Sequence, residues 1–293
     1  MTPRTAQSSA NGAVTVGELP NAATDTAGGD SWDGFVKLWL ANGAQKVWRR
    51  HSDAVNGRLL ARWLPPRIDQ VLKTDLWDEA VGEGLFSALS LRARRVVGID
   101  IAGAVVAAAS ARHTELDASQ ADVRHLPFED ATFDAIVSNS TLDHFGSVAD
   151  IQTALVELRR VLRPGGTLIV TLDNPTNPMI ALRRAIPRSA FDAVWKNFGA
   201  LAARMAPNPL GATCRIGTLV RLVETAGLTV RERDAVVHCP RVLAVIAGDM
   251  LERGGSPRAQ ARFLRWLLPF ERLAALPTRY VTGHFIAVRA VRL

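Results

Sequence analysis

The fold is decided by the stretch ADVRHLPFEDATFDAIVSN, residues 121–139, together with LRRVLRPGGTLIVT, residues 158–171. Two short runs rich in branched and aromatic residues, 133–137 and 167–172, have the composition of buried strands. Between them, residues 148–162 repeat apolar side chains at helical spacing, and Pro164-Gly165-Gly166 reads as a turn. A strand, a helix and a second strand in this order predict a βαβ unit and a mainly parallel sheet.

The same alternation continues outward in both directions. Upstream we predict strands at 71–76 and 95–99, with helices at 83–92 and 102–114; downstream we predict a helix at 217–226 and strands at 228–237 and 283–291. Together these elements predict a doubly wound α/β fold.

Composition divides the chain into five parts. We interpret them as a disordered tail (1–30), an N-terminal helical cap (31–66), a ligand-binding α/β core (67–174), a proline-rich lid insertion (175–214) and a C-terminal completion of the sheet (215–293). The last part includes an amphipathic, basic segment at 256–274.

The composition also bounds the partners. No run of apolar residues approaches the length of a membrane span. The first residues lack the basic-then-apolar pattern of a secretion signal, and the two cysteines fit a reducing cytoplasm, so a cytoplasmic location is expected. The net charge of +7 comes from scattered arginines without interleaved aromatics, so no nucleic acid is expected. The basic segment at 256–274 could rest on an anionic membrane, but Pro269 interrupts it, which disfavours that contact. The sequence does not determine the oligomeric state.

Metal binding is not expected from the sequence. His113, His125 and His238 form no ligand-like spacing with Cys214 or Cys239. We therefore predict no structural or catalytic metal.

Acidic and polar side chains follow successive predicted strands. Asp100 ends the second strand, Asp122 follows the third, and Ser138 and Asn139 end the fourth. In an open parallel sheet, ligands bind at the carboxyl ends of the strands, where a carboxylate such as Asp100 can accept both hydroxyls of a ribose. The glycines Gly82 and Gly84 of the first loop would let the backbone approach a ligand closely, although a helix-capping turn would use glycines in the same way.

These strings resemble the class I S-adenosylmethionine-dependent methyltransferases, in the small-molecule branch called type 11. The resemblance rests on GEG at 82–84, VVGID at 96–100, the stretch at 121–139 and the stretch at 158–171, and it covers about residues 67–174. It implies S-adenosylmethionine as cofactor and a seven-stranded sheet whose last strand is antiparallel. It further implies the following cofactor contacts: Asp100 and Ile101 at the ribose, Asp122 and Val123 at the adenine, and Ser138 and Asn139 at the methionine side.

The first loop departs from the family pattern of an acid followed by three alternate glycines. One register places Asp78 at the acid and Ala80, Gly82 and Gly84 at the glycines, with Glu79 between them; a second register uses Asp75 as the acid. Alanine is tolerated wherever φ is negative. A nicotinamide fingerprint would need glycine at position 87, where the chain has serine.

Candidates for the chemistry lie near the fourth loop and outside the core. Asp143 and His144 could act as a base if the acceptor carries a proton of high pKa, or His144 could instead cap the following helix. We also single out four substrate candidates: His51, Trp195, Arg215 and Tyr280. Aromatic side chains of the lid could form a hydrophobic pocket or ordinary core.

The expected function is in-line transfer of a methyl group to a small, partly hydrophobic or lipid-like acceptor. Two alternatives stay open. The chain could bind the cofactor without catalysis, as a regulatory protein, or it could methylate nucleic acid. The second alternative lacks the Asn/Asp-Pro-Pro-aromatic string of base-flipping enzymes; the nearest string is DNPTNP at 173–178.

Overall fold

The computed structural model of the chain describes residues 45–187 and 211–293. The helices of this part are α1 (Lys46–Trp63), α2 (Trp77–Val81), α3 (Phe86–Ser90), α4 (Gly103–Arg112), α5 (Val148–Val161), α6 (Pro178–Ala185), α7 (Ile216–Thr225), α8 (Arg241–Gly254), α9 (Pro257–Leu267) and α10 (Arg279–Thr282). Two 3-10 helices are η1 (Leu142–His144) and η2 (Leu268–Ala275). The predicted tail, the start of the predicted cap and Trp195 lie outside the described residues.

Seven strands form one sheet. They are β1 (Ile68–Lys73), β2 (Ala93–Asp100), β3 (Asp117–Gln120), β4 (Phe133–Asn139), β5 (Leu162–Asp173), β6 (Thr229–Val236) and β7 (Phe285–Val291). Their order is β3-β2-β1-β4-β5-β7-β6, and β7 runs antiparallel to both of its neighbours. The predicted doubly wound sheet with an antiparallel last strand is confirmed.

The strand order creates a switch point between β1 and β4. From β1 the chain moves outward to β2 and β3, and then returns to place β4 on the other side of β1. Loops that leave β1 and β4 therefore diverge to opposite faces and open a crevice at the carboxyl edge of the sheet. This edge is where a ligand site is expected.

Apolar side chains cover both faces of the central strands. Successive residues of β1 point to opposite faces: Val71 joins one buried cluster and Leu72 joins the other, and both are fully buried. Helix α5 packs on the Leu72 face through Ile151, Leu155 and Leu158. The predicted βαβ unit of β4, α5 and β5 is thus the centre of the core.

Several element boundaries differ from the predictions. The strand predicted at 71–76 lies at 68–73, because Asp75 accepts the N–H of Trp77 and turns the chain into α2, which was not predicted. The helix predicted at 83–92 is reduced to α3, and the predicted turn at 164–166 lies within β5. Helix α8 was also missed, because Leu243 and Met250 are exposed on its outer face and blur its amphipathic pattern.

Among the described residues, no helix has the length and apolar character needed to cross a membrane.

Candidate functional site

The carboxyl edge of the parallel strands gathers charged side chains. Lys73 and Asp75 end or follow β1, Asp100 ends β2, Asp143 and His144 follow β4, and Asp173 ends β5. Helices α1 and α8 add Arg49, Asp53 and Arg241, which interact electrostatically with this group. Many of these groups are buried, so their mutual charges are screened less than on a surface.

Asp100 is held rigidly at the end of β2. One carboxylate oxygen accepts the backbone N–H of Leu76 at 3.0 Å, and the other accepts the N–H of Ala102 at 2.9 Å. Burial, together with the nearby charge of Asp75, raises the pKa of Asp100 to about 7. Each oxygen keeps a further acceptor position, so the carboxylate can still receive two hydroxyl groups. The following residue, Ile101, fixes the loop by accepting a hydrogen bond from the Gln120 amide at 2.9 Å.

The predicted adenine residues follow β3. The carboxylate of Asp122 accepts hydrogen bonds from Nε and Nη2 of Arg124, the latter at 2.6 Å. Burial acts to raise the pKa of Asp122, but the hydrogen bonds from Arg124 outweigh it and lower the pKa. The side chain of Val123 is buried in the core beside the β2 residues Val97 and Ile99. This part of the edge therefore presents an ionised, already paired carboxylate.

A row of hydroxyls lines the switch point. Thr74 Oγ1 donates to Ser138 Oγ at 3.1 Å and lies 2.8 Å from Thr141 Oγ1. The predicted residue Asn139 accepts from Thr171 Oγ1 at 3.0 Å. Ser138 is fully buried, so it acts first as a link between β1 and β4.

The first loop holds a buried ion pair between Lys73 and Glu79. Lys73 Nζ lies 2.7 Å from Glu79 Oε2, and the other Glu79 oxygen accepts the N–H of Leu85 at 2.8 Å. The side chains of Lys73 and Glu79 are 2% and 0% exposed. Burial acts to lower the pKa of Lys73, but Glu79 and Asp75 more than compensate and raise it, so the ammonium stays charged.

Gly84 serves packing within this loop. Gly84 has a φ of 56°, and a Cβ there would collide with the Glu79 carboxylate. Ala80 lies on α2 with its side chain buried in the core, so the register that treats it as a flexible glycine position does not describe the structure. Asp78 does not end the strand either, because it lies on α2 and forms an ion pair with Arg49 of α1.

Asp143 and His144 lie on η1, beside the charged side chains at the carboxyl edge of the sheet. One oxygen of Asp143 accepts from Ser140 Oγ at 2.9 Å and from the N–H of Asp173 at 2.8 Å. The other oxygen is buried and has no hydrogen-bond partner within residues 45–187 and 211–293. His144 interacts electrostatically with Asp75 and Asp173. The structure therefore brings both predicted candidates to the switch point.

A second charged group lies at the same edge. The sequence offered His284 as a further pocket candidate beside Arg215 and Tyr280, but it did not predict Arg241 or Asp173 as its partners. Nη1 of Arg241 donates to Nε2 of His284 at 2.5 Å, so His284 is neutral with its proton on Nδ1. Burial and Arg241 hold the pKa of His284 well below its usual range. The Arg241 guanidinium lies 5.8 Å from the ring centroid of Trp48 and 5.9 Å from that of Phe285.

Asp173 completes this group. Burial and the charge of Asp143 raise the pKa of Asp173 to about 7, although Arg241 opposes the shift. Its position at the end of β5, within DNPTNP, was a signal that the strand-end argument could have used.

Three of the predicted substrate residues, His51, Arg215 and Tyr280, lie in the described part of the chain and occupy separate elements. His51 is buried and hydrogen-bonds to Glu271 at 3.0 Å. Arg215 is exposed at the start of α7, and the Tyr280 hydroxyl donates to the Arg233 carbonyl at 3.2 Å. None of these contacts points to a common acceptor pocket.

Comparison with known proteins shows which family the chain belongs to. Residues 77–170 match the family model described as a methyltransferase domain. The chain is 33% identical over 189 residues to a demethylmenaquinone methyltransferase of Thermus thermophilus, covering 58% of this chain and 82% of that protein. The chain belongs to the class I S-adenosylmethionine-dependent methyltransferases.

Two further likenesses are one relative in sequence and one neighbour in fold. A Mycolicibacterium smegmatis protein named "Probable S-adenosylmethionine-dependent methyltransferase" is 28% identical over 195 residues; the match covers 66% of this chain and only 64% of that protein. The structure of the [4+2]-cyclase SpnF superposes with a TM-score of 0.56 at 18% identity, covering 94% of this chain and 98% of that chain. At this identity the superposition shows the fold alone.

The residues of this methyltransferase family member fit its cofactor. Asp100 offers two acceptor oxygens at the strand end where the ribose is expected. The methionine end is a zwitterion with a neighbouring sulfonium, and the paired side chains of Arg49 on α1 and Asp78 on α2 offer it both signs of charge beside Asp75. The donor set thus suits a ligand that is polar at one end and cationic near the other.

Proposed function

We propose that this protein transfers a methyl group from S-adenosylmethionine to a small, partly hydrophobic or lipid-like acceptor. The observation that carries the proposal is the Asp100 carboxylate, oriented by two backbone N–H groups at the carboxyl end of β2, beside the switch point. The name of the Thermus thermophilus relative, a demethylmenaquinone methyltransferase, supports a lipid-like acceptor.

The bound cofactor would supply an electrophilic methyl group on its sulfonium. The chain's part is to hold the two reactants in line, and such positioning can supply much of the rate acceleration. Asp100 would fix the ribose, and Arg49 with Asp75 and Asp78 of the first loop would fix the methionine end. Trp48 and Trp77, from α1 and α2, stack against Arg241 and Arg49 and exclude water from this edge.

Any residue that takes a proton from the acceptor would lie on the β4 and β5 side of the switch point. A base is needed only if the acceptor carries a proton of high pKa. Asp173, whose pKa is raised to about 7, would then take up the proton, with His144 beside it. Arg241 would stabilise negative charge that develops on the acceptor.

A second candidate function is cofactor binding without catalysis. The observation that favours it is the buried Lys73–Glu79 pair, which lies in a first loop that has Ala80 in place of one of the family's three glycines. Such a loop could hold the methionine end in a geometry unsuited to transfer.

The test is transfer of labelled methyl from S-adenosylmethionine to a cell extract that is then fractionated into lipid, small polar, protein and nucleic-acid pools. We expect label in the lipid or small-molecule pool, and Asp100→Ala should abolish it. Cofactor binding by calorimetry without product in any pool would support the second candidate. Label in the nucleic-acid pool, or neither binding nor transfer, would contradict the proposal.

A further inference from the structure

Three side chains from distant parts of the sequence meet inside the molecule. They are His51 of α1, Cys239 in the turn between β6 and α8, and Glu271 of η2. The His51 ring nitrogen, the Cys239 sulfur and a Glu271 carboxylate oxygen all lie within 4.8 Å of one another. Nitrogen, thiol sulfur and carboxylate oxygen are the three donor types that proteins use for zinc.

The cluster is shielded from solvent and held from outside. The side chains of His51 and Glu271 are 1% and 12% exposed, and Cys239 is buried. Both carboxylate oxygens of Glu271 accept the backbone N–H of His238 at 3.2 Å, which fixes the carboxylate toward the cluster. Outer hydrogen bonds of this kind orient metal ligands.

We propose that His51, Cys239 and Glu271 form a structural site for a divalent cation of the zinc class. Bond lengths of about 2.0 Å to nitrogen and oxygen and about 2.3 Å to sulfur put neighbouring tetrahedral ligands roughly 3.3–3.7 Å apart. Separations of up to 4.8 Å would have to shorten by at most about 1.5 Å to reach this spacing. A water molecule would complete the four positions. Calcium and magnesium prefer oxygen ligands throughout, so the donor set disfavours them.

The simpler alternative is a hydrogen bond between His51 and Glu271 beside an inert thiol. The two atoms lie 3.0 Å apart, as a hydrogen bond requires. Under that alternative the Cys239 sulfur contributes nothing to cation binding. Under the proposal it is a ligand, so Cys239 is the residue that separates the two.

A cation at this site would hold α1 and α8, which carry Trp48 and Arg241, in place beside the proposed cofactor site without contacting the cofactor. His51 lies one helical turn from Trp48, and Cys239 lies two residues before Arg241. A cation would therefore tie α1 to the start of α8, and the Trp48–Arg241 stack lies between these two elements. The proposal does not depend on methyl transfer, so either can fail alone.

The experiment uses the full chain, stripped with a chelator and then titrated with zinc chloride by calorimetry and with cobalt chloride by absorption spectroscopy. We expect one equivalent of either metal, tetrahedral cobalt bands and a thiolate-to-cobalt charge-transfer band. Cys239→Ser should lose that band and weaken zinc binding by at least about tenfold. Cys214→Ser is the matched control, because Cys214 is the other buried free thiol and lies in the opposite core cluster; it should bind like the wild type.

A second variant covers the case in which Cys239→Ser fails to fold. Glu271→Gln keeps the side chain's size and removes the charged ligand, and it should also lose at least about tenfold in zinc affinity. Zinc should raise the melting temperature of the wild type and of Cys214→Ser, but not that of Cys239→Ser or Glu271→Gln. Absence of a stoichiometric site in the wild type, or an unchanged cobalt charge-transfer band in Cys239→Ser, would overturn the proposal.

Discussion

The ends of β1 and β2 are neighbours on one sheet edge, yet they present charge in different ways. At the end of β2, the Asp100 carboxylate is held by backbone N–H groups and keeps open acceptor positions. At the end of β1, Lys73 turns back into the protein and pairs with Glu79, and both are buried. The first arrangement is available to a ligand, whereas the second is mainly committed to the loop's own structure.

The end of β2 therefore serves mainly ligand binding, and the end of β1 serves mainly the stability of the fold. A carboxylate satisfied by the backbone can add ligand contacts at little cost to the fold. A buried side-chain pair cannot lose one partner without leaving an uncompensated charge. Substitutions at the β1 end should therefore affect folding first, and substitutions at the β2 end should affect cofactor affinity first.

The largest effect is expected at Lys73. Lys73→Met leaves Glu79 buried without its partner, and the free energy of unfolding should fall by about 3–5 kcal/mol in urea denaturation. Lys46→Met, at the exposed start of α1, is the control and should change stability little. Adding Glu79→Gln to Lys73→Met should recover part of the loss. A single variant as stable as the wild type would show that the pair does not support the loop.

Asp100 should behave in the opposite way. Asp100→Ala removes a charge-assisted acceptor worth roughly 1.5–3 kcal/mol, so calorimetry should show cofactor affinity at least about tenfold weaker in a folded protein. Asp117→Asn is the control: Asp117 is an exposed acid at the start of β3, paired with Arg95. Unchanged affinity in folded Asp100→Ala would remove the ribose assignment.

Gly84 tests whether the first loop's glycines serve its own packing. Gly84→Ala places a Cβ at positive φ and against Glu79, and the left-handed conformation alone should cost about 1–2 kcal/mol of stability. Gly217→Ala, at a helical glycine with open space around it, should leave stability equal or higher. Equal stabilities of the two variants would contradict the described loop.

The smallest effect is a pH dependence of cofactor binding. The pKa of Asp100 is raised from 3.8 to about 7, so the carboxyl holds a proton below that pH and loses acceptor capacity. Affinity should therefore rise between pH 6 and pH 8, by roughly tenfold if this group alone titrates. Asp100→Asn cannot ionise and should show a flatter profile. A wild-type affinity that falls over this range would contradict the assignment.

The order of strand-like runs and acidic residues along the sequence was enough to predict that Asp100 lies at the carboxyl edge of the sheet. Asp100 follows a strand-like run directly, and a residue at the end of a parallel strand lies at the ligand edge whatever packs around it. The βαβ unit at 133–173 was equally accessible, because Ile151, Leu155 and Leu158 repeat at helical spacing.

The other features of the site could not be predicted, because they depend on contacts between residues whose spacing in the sequence gives no sign of them. The helical turn α2 arises because Asp75 caps the N–H of Trp77 and Lys73 reaches Glu79 across the loop. Arg241 and His284 are separated by 43 residues and meet only because β6 and β7 pair side by side. His51, Cys239 and Glu271 come from three separate elements, so local spacing predicted no such cluster.

The most direct test of the account is a crystal structure of the full chain with S-adenosylhomocysteine. We predict both ribose hydroxyls within hydrogen-bonding distance of the Asp100 carboxylate, and the amino-acid end between the β1 loop and the β4 end. A nucleoside bound elsewhere, with Asp100 contacting only the Leu76 and Ala102 amides, would contradict the assignment of this edge as the cofactor site.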